Sequence, residues 1–162
     1  MSHRQRKLTR LQGYDYAQAG AYFVTICTQH RHCLFGSIKD GVMSLNPAGE
    51  MIVLWWGRIP ERFPNAEIDY FVVMPNHVHG IVVLDGSAPS GLSDAVGWFK
   101  TMTTNAYIHG VKEQEWTAFD GQFWQRSYHD HIIRNEPDLN RIREYVMINP
   151  ARWDEDTLYA EP

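Results

Sequence analysis

Two histidines one residue apart, His77 and His79, stand inside an apolar stretch spanning residues 71–84 and broken only at Pro75-Asn76. In a strand, side chains two apart share a face, so both imidazoles would point the same way. Neutral imidazole is a common metal ligand, and a cation held between the rings would account for two polar groups in such apolar surroundings. A hydrogen-bonded pair of core histidines accounts for the same pattern equally well. Context elsewhere in the chain has to choose.

Chance alone would place about 0.4 such pairs in a chain of this histidine content, and this one has three, so spacing by itself is weak. His30 and His32 flank Arg31, whose charge opposes a second cation, and a solvated turn is expected there. His129 and His131 lie beside Tyr128 and Ile132, where satisfied surface histidines are the simpler reading. A metal at His77 and His79 needs a third ligand. Tyr145 and Asn149 are four residues apart, so on a helix they share one face with Cβ atoms about 6 Å apart. An amide oxygen with two imidazoles suits Mg2+ or Mn2+ and leaves positions open for phosphate oxygens. Taken singly, Asn149 before Pro150 is a helix terminator and Tyr145 a packing residue.

These residues need elements to position them. Residues 21–28 are rich in β-branched and aromatic side chains and read as a strand. Residues 42–45 suggest a short hairpin strand. Residues 47–58 carry a starting Pro47 and an apolar stripe, with Pro60 and Pro64 closing the helix. Residues 68–74 and 77–84 are strands, 86–91 a loop, and 92–109 a helix with Val96, Phe99, Met102 and Thr103 at helical spacing. A polar connection is expected over 110–121, a fourth strand over 124–134 and a last helix over 136–148. The order β-α-β-β-α-β plus a helix is that of an α+β, ferredoxin-like antiparallel sheet with helices on one face.

At 162 residues, 44% hydrophobic and 21% charged, the chain makes one ordinary globular domain, residues 20–153. A polar arm, residues 1–19, carries Arg4, Arg6, Lys7 and Arg10, whereas an acidic tail, residues 154–162, carries Asp154, Glu155, Asp156 and Glu161. The net charge of −4 therefore does not exclude a nucleic-acid partner, because phosphates respond to local surfaces. Lys100, Arg31, Arg126 and Arg134 are candidate phosphate contacts, and Trp98, Trp124 and Tyr128 candidate platforms for unpaired bases. Solvated cations and core aromatics are the competing readings. Cys27 and Cys33, the only cysteines, belong to no disulfide framework. With no signal peptide and no apolar run of about 18 residues, a cytoplasmic protein without a membrane partner is expected.

The segments VVMPNHVHGIVVL and FWQRSYHDHIIRNEPDLNRIREYVMINPARW closely resemble the REP-associated tyrosine transposases, within the single-tyrosine HUH transposases of bacterial insertion sequences. AYFVTICTQHRHCLFG and DAVGWFKTMTTNAY resemble them too, so the likeness spans residues 20–153. It implies that His77, His79 and Asn149 are metal ligands and that Tyr145, on the C-terminal helix, is the nucleophile. It implies a metal-dependent endonuclease and strand transferase, acting on single-stranded or hairpin DNA through a 5′-phosphotyrosine. A monomer and a homodimer both remain open. The alternative is a domesticated, non-catalytic hairpin-binding protein, and a third reading is a metal hydrolase activating water.

Overall fold

The computed structural model describes residues 19–161. The basic cluster Arg4, Arg6, Lys7 and Arg10 and nearly all of the expected arm lie outside the described residues. Strands β1 (Gly20–Cys27), β4 (Ala66–Met74), β5 (His77–Leu84) and β6 (His129–Ile133) form one sheet in the order β4-β5-β1-β6. Every neighbouring pair is antiparallel. This is the expected ferredoxin-like arrangement. A hairpin of β2 (Gly36–Lys39) and β3 (Val42–Leu45) stands apart, turned through Asp40 and Gly41 at φ 52° and 75°.

Alternation along the strands assigns each face. Tyr22, Val24, Ile26, Val78 and Val82 point to the larger core, under helices α1 (Pro47–Gly57) and α3 (Leu92–Gln114). Ala21, Phe23, Ile81 and Val83 point the other way, to a smaller cluster closed by Ile142 and Val146 of helix α4 (Glu136–Ile148). His77 and His79 share the parity of Ile81, so the imidazoles lie on the α4 face. Gly80 permits the close approach of Trp56: a Cβ there would come within 2.2 Å of the buried indole. Gly80→Ala is expected to destabilise by about 1–3 kcal/mol through overpacking, read as a lower urea midpoint.

Three stretches differ most from the sequence expectation. Pro60 does not close a helix but opens a short one, α2 (Ile59–Arg62), because proline is tolerated in a first turn. Helix α3 runs past Gly110 to Gln114, since Gly110 makes room for the Trp116 ring, and it ends at left-handed Glu115. The fourth strand is only His129–Ile133; upstream, Trp124 makes an isolated bridge to Thr28. The Lys100 ammonium donates to the carbonyls of Gln125 and Arg126, taking both out of any ladder. Trp124 and Tyr128 are buried and offer no platform to a base. No helix among the described residues is long and apolar enough to cross a membrane.

Candidate active site and metal centre

β5 is buried almost throughout because strands flank it on both sides and helices cover both faces. That burial makes its two histidines unusual: His77 is fully buried and His79 nearly so. Their Nε2 atoms lie 3.1 Å apart. The other ring nitrogens are held from behind, His77 Nδ1 at 2.7 Å from Asn76 Oδ1 and His79 Nδ1 at 2.8 Å from Thr25 Oγ1.

The Asn76 contact settles one tautomer. Asn76 Nδ2 donates to the carbonyls of Arg31 and Leu158, at 3.2 and 2.8 Å, so its Oδ1 must face His77. Oδ1 only accepts, hence His77 carries its proton on Nδ1 and presents a bare lone pair at Nε2. Thr25 can accept as well as donate, so it can support the same tautomer in His79.

Helix α4 starts at the Asn135 cap, whose side chain accepts from the Asp138 N–H, with Pro137 in the first turn. Four residues separate Tyr145 from Asn149, and the helix turns both toward β5. The Tyr145 ring meets His79 edge-on at 5.4 Å between centroids and Phe23 at 6.0 Å, with Phe23 stacked on His79 from the other strand. Asn149 is buried, and its Oδ1 has no hydrogen-bond partner. The four residues singled out in the sequence are thus together.

A fifth group arrives unannounced. After α4 a 3-10 turn, Pro150–Glu155, folds back with Trp153 buried against the His77 ring at 6.1 Å between centroids. It delivers Asp156, expected only as part of an acidic tail, to 3.8 Å from His77 Nε2. Asp156 Oδ1 accepts from the Leu158 N–H, while Oδ2 is buried without a partner. Arg31 donates to the Thr157 carbonyl and Asn76 to that of Leu158, pinning the segment. Nothing in the local pattern separates Asp156 from its acidic neighbours. Asn76 and Thr25, the groups behind the imidazoles, were equally silent.

Ligand atoms of His77, His79 and Asp156 all lie within 4.8 Å of one another. Two imidazole nitrogens, an unpartnered carboxylate oxygen and an unpartnered amide oxygen make a cluster of acceptors short of protons, which a divalent cation would satisfy. The residues fit such an ion. Burial pushes the His77 pKa down to about 2, helped by His79 and opposed by Asn149, and burial pushes His79 down to about 3. Both rings are therefore neutral at physiological pH, as ligands must be. The unfolded chain takes up protons near the ordinary value of 6.5 and the fold refuses them, so these groups cost stability as pH falls below 6.5. Between pH 7 and 5 the metal-free folding constant should drop on the order of tenfold per histidine. Urea denaturation checks it, with a shallower pH slope expected for His79→Gln.

Cys27, opposite His77 in the ladder, does not compete as a nucleophile. Burial pushes its thiol up to about 11, with Arg31 lowering and Asp156 raising it. Tyr145 lines a cleft of about 200 Å³ with Asn149, Arg152, Glu155, Asp156 and Thr157, which supplies an exposed cation beside the phenol. The other candidates scatter. Arg31 stands at the rim, Lys100 and Arg126 line a groove on the opposite face, and Arg134 follows Ile133 at the far end of the sheet. Trp98 packs against Trp55 and Phe63. His131 pairs with Asp138 at 3.0 Å, and His30 and His32 are exposed.

Comparison with known proteins adds a second line. The family model described as "Transposase IS200 like" matches residues 61–149, which include both imidazoles, Tyr145 and Asn149. An uncharacterised protein of Haemophilus influenzae is 35% identical over 169 residues, 96% of this chain and 94% of that protein. A REP-associated tyrosine transposase of Escherichia coli K12 is 30% identical over 87 residues, 53% of this chain and 45% of its own length. A solved REP-associated tyrosine transposase bound to a REP hairpin shares the fold. Its TM-score is 0.65 at 24% identity, covering 88% of this chain and 73% of that one.

Proposed function

The chain belongs to the family of IS200-like transposases, and from that premise we propose that it nicks and rejoins single-stranded DNA beside a hairpin, through a covalent bond to Tyr145. The observation that carries the reading is the convergence of a phenol, two neutral imidazoles and two unpartnered buried oxygens at one point. A hairpin substrate is favoured by the likeness to REP-associated transposases, one of which is bound to a REP hairpin.

His77, His79, Asn149 and Asp156 would hold a divalent cation, Mg2+ or Mn2+. Such an ion supplies a Lewis acid for a non-bridging oxygen of the scissile phosphate. Asn76 and Thr25 keep the imidazoles oriented from behind. Arg31 and Arg152 offer positive charge to the phosphates on either side of the cleft. Tyr145 Oη attacks phosphorus and gives up its proton to solvent at the exposed rim. The bond from phosphorus to the 3′-oxygen breaks, that oxygen takes a proton, and a 5′-phosphotyrosine remains. A 3′-hydroxyl on another strand reverses the step, so rejoining needs no external energy source. All these groups come from one chain. Such chemistry belongs to the cytoplasm, where the DNA is.

The test is a hairpin oligonucleotide with a single-stranded flank, labelled 3′ of the nick and incubated with Mn2+ or Mg2+. A labelled protein band on a denaturing gel is expected. Tight hairpin binding without that band would identify a non-catalytic binder, and free ends without it a hydrolase.

A further inference from the structure

Helix α4 carries Tyr145 across the sheet on a narrow footing. Ile142 and Val146 bury against Ile81, with Leu139 beside them. Aliphatic contact sets how far a helix stands from a sheet, but it is non-directional and leaves rotation about the helix axis weakly fixed. A cleft of about 380 Å³ opens between α4 and β4, with Val72, Val146 and Met147 in its lining, so packing does not wedge the helix on that side. Asp138 in the first turn meets His131 of β6 at 3.0 Å. That anchor lies about 10 Å along the axis from Tyr145.

Arg143 supplies a directional grip two residues before the phenol. Its Nε donates to Asp69 Oδ1 at 2.8 Å and its Nη2 to Asp69 Oδ2 at 2.6 Å. The same guanidinium lies 5.3 Å from the centroid of the Tyr70 ring. Both partners belong to the edge strand β4. Adjacent side chains of a regular strand face opposite ways, yet these two meet one guanidinium. A bulge accounts for it: Ile68 pairs with Val82 but Phe71 with Gly80, which leaves one residue more on β4 than on β5 between the two pairs. Bulges re-aim side chains in this way.

The Arg143 hydrogen bonds hold the Asp69 carboxyl below the usual carboxylate range, against the opposing effect of burial, so the pair is charged at physiological pH. A fork already filled by a carboxylate is not presented to a phosphate. With side chains 33% and 20% exposed, the pair adds little to global stability. Its distinctive contribution is orientation, because two parallel hydrogen bonds from a planar group define a direction as well as a distance. At about 100° per residue, Arg143 and Tyr145 flank the sheet-facing stripe of Ile142 and Val146 on opposite sides. Holding one flank therefore sets the other. A roll of about 10° carries an atom at a side-chain radius of about 5–6 Å through about 1 Å, and a misplacement of that size costs about a hundredfold in rate.

We propose that Asp69 and Arg143 are positioning residues for the nucleophile: their ion pair, built on the bulge of β4, sets the roll of α4 and so holds the Tyr145 phenol against His79. The inference rests on the proposed role of Tyr145 and adds what keeps that side chain in place.

Two measurements on the full chain test it: the single-turnover rate of adduct formation at saturating hairpin DNA, and 19F NMR in EDTA with Tyr145 alone replaced by 3-fluorotyrosine. Asp69→Asn and Arg143→Gln should each slow the adduct step about tenfold to a hundredfold, with hairpin affinity in EDTA within about twofold of wild type. The double variant should be no slower than the slower single, because both break one interaction. Arg143→Lys keeps the charge but not the fork and should be as slow as Arg143→Gln. Tm should fall by at most about 4 °C in each. The fluorine line should shift and broaden in every variant, which lost stability alone would not do to the folded molecule. A wild-type rate with an unmoved line in Asp69→Asn and Arg143→Gln would overturn the proposal. Weakened binding at an unchanged rate would overturn it too, by making Arg143 a phosphate contact. A moved line in variants of a protein that forms no adduct even unaltered would retain the positioning pair and remove the nicking reaction.

Discussion

Replacing Tyr145 with Phe is expected to reduce covalent capture of a hairpin oligonucleotide by at least about three orders of magnitude. The fold should be untouched. The Tyr145 ring contributes edge contacts with His79 and Phe23, which phenylalanine retains, and the residue is 42% exposed. Only the oxygen that would bond to phosphorus is lost. Hairpin affinity in EDTA should therefore stay within about twofold of wild type, because a neutral exposed hydroxyl contributes little to binding a polyanion. Adducts persisting in Tyr145→Phe would take Tyr145 out of the mechanism. Equal loss of affinity and adduct would make it a binding residue instead.

The second large effect concerns the cation. Mn2+ at about a hundredfold over its Kd should stabilise the wild-type fold by about 2.7 kcal/mol, or roughly 5–10 °C in Tm for a domain of this size. His79→Gln removes a nitrogen ligand and should erase most of that shift and at least about a hundredfold of the adduct rate. Asp156→Asn tests the group that sequence reasoning did not single out. It retains the shape of the side chain and the Oδ1 that accepts from Leu158 but removes the charge facing His77. A reduced Mn2+ shift is expected, with an unchanged Tm in EDTA. A Tm raised equally by Mn2+ in all three proteins would place the ion elsewhere.

Much of the fold was legible because its signals are local. The apolar runs of β1 and β5, the Pro47 start and the Asn149-Pro150 stop each depend on a few adjacent residues. The misread stretches depended on distant partners. Gly110 looks like a helix stop until Trp116 occupies the space above it. Residues 124–128 look like strand until Lys100, from another element, claims two of their carbonyls. Trp124 looks like a stacking platform until the core closes over it.

The same division governs the site. The chain alone placed His77 and His79 on one face, and Tyr145 and Asn149 on another, because strand and helix periods are properties of the backbone. Whether those two faces would meet, and what else would join them, lay outside any local pattern. Packing of α4 on the sheet brought the phenol to the imidazoles. The buried Trp153 turned the chain back so that one carboxylate among several acidic neighbours reached His77. Periodicity is inherited from covalent geometry and can be read along the sequence. Convergence is a product of burial, shared between segments far apart, and exists only once the chain has folded.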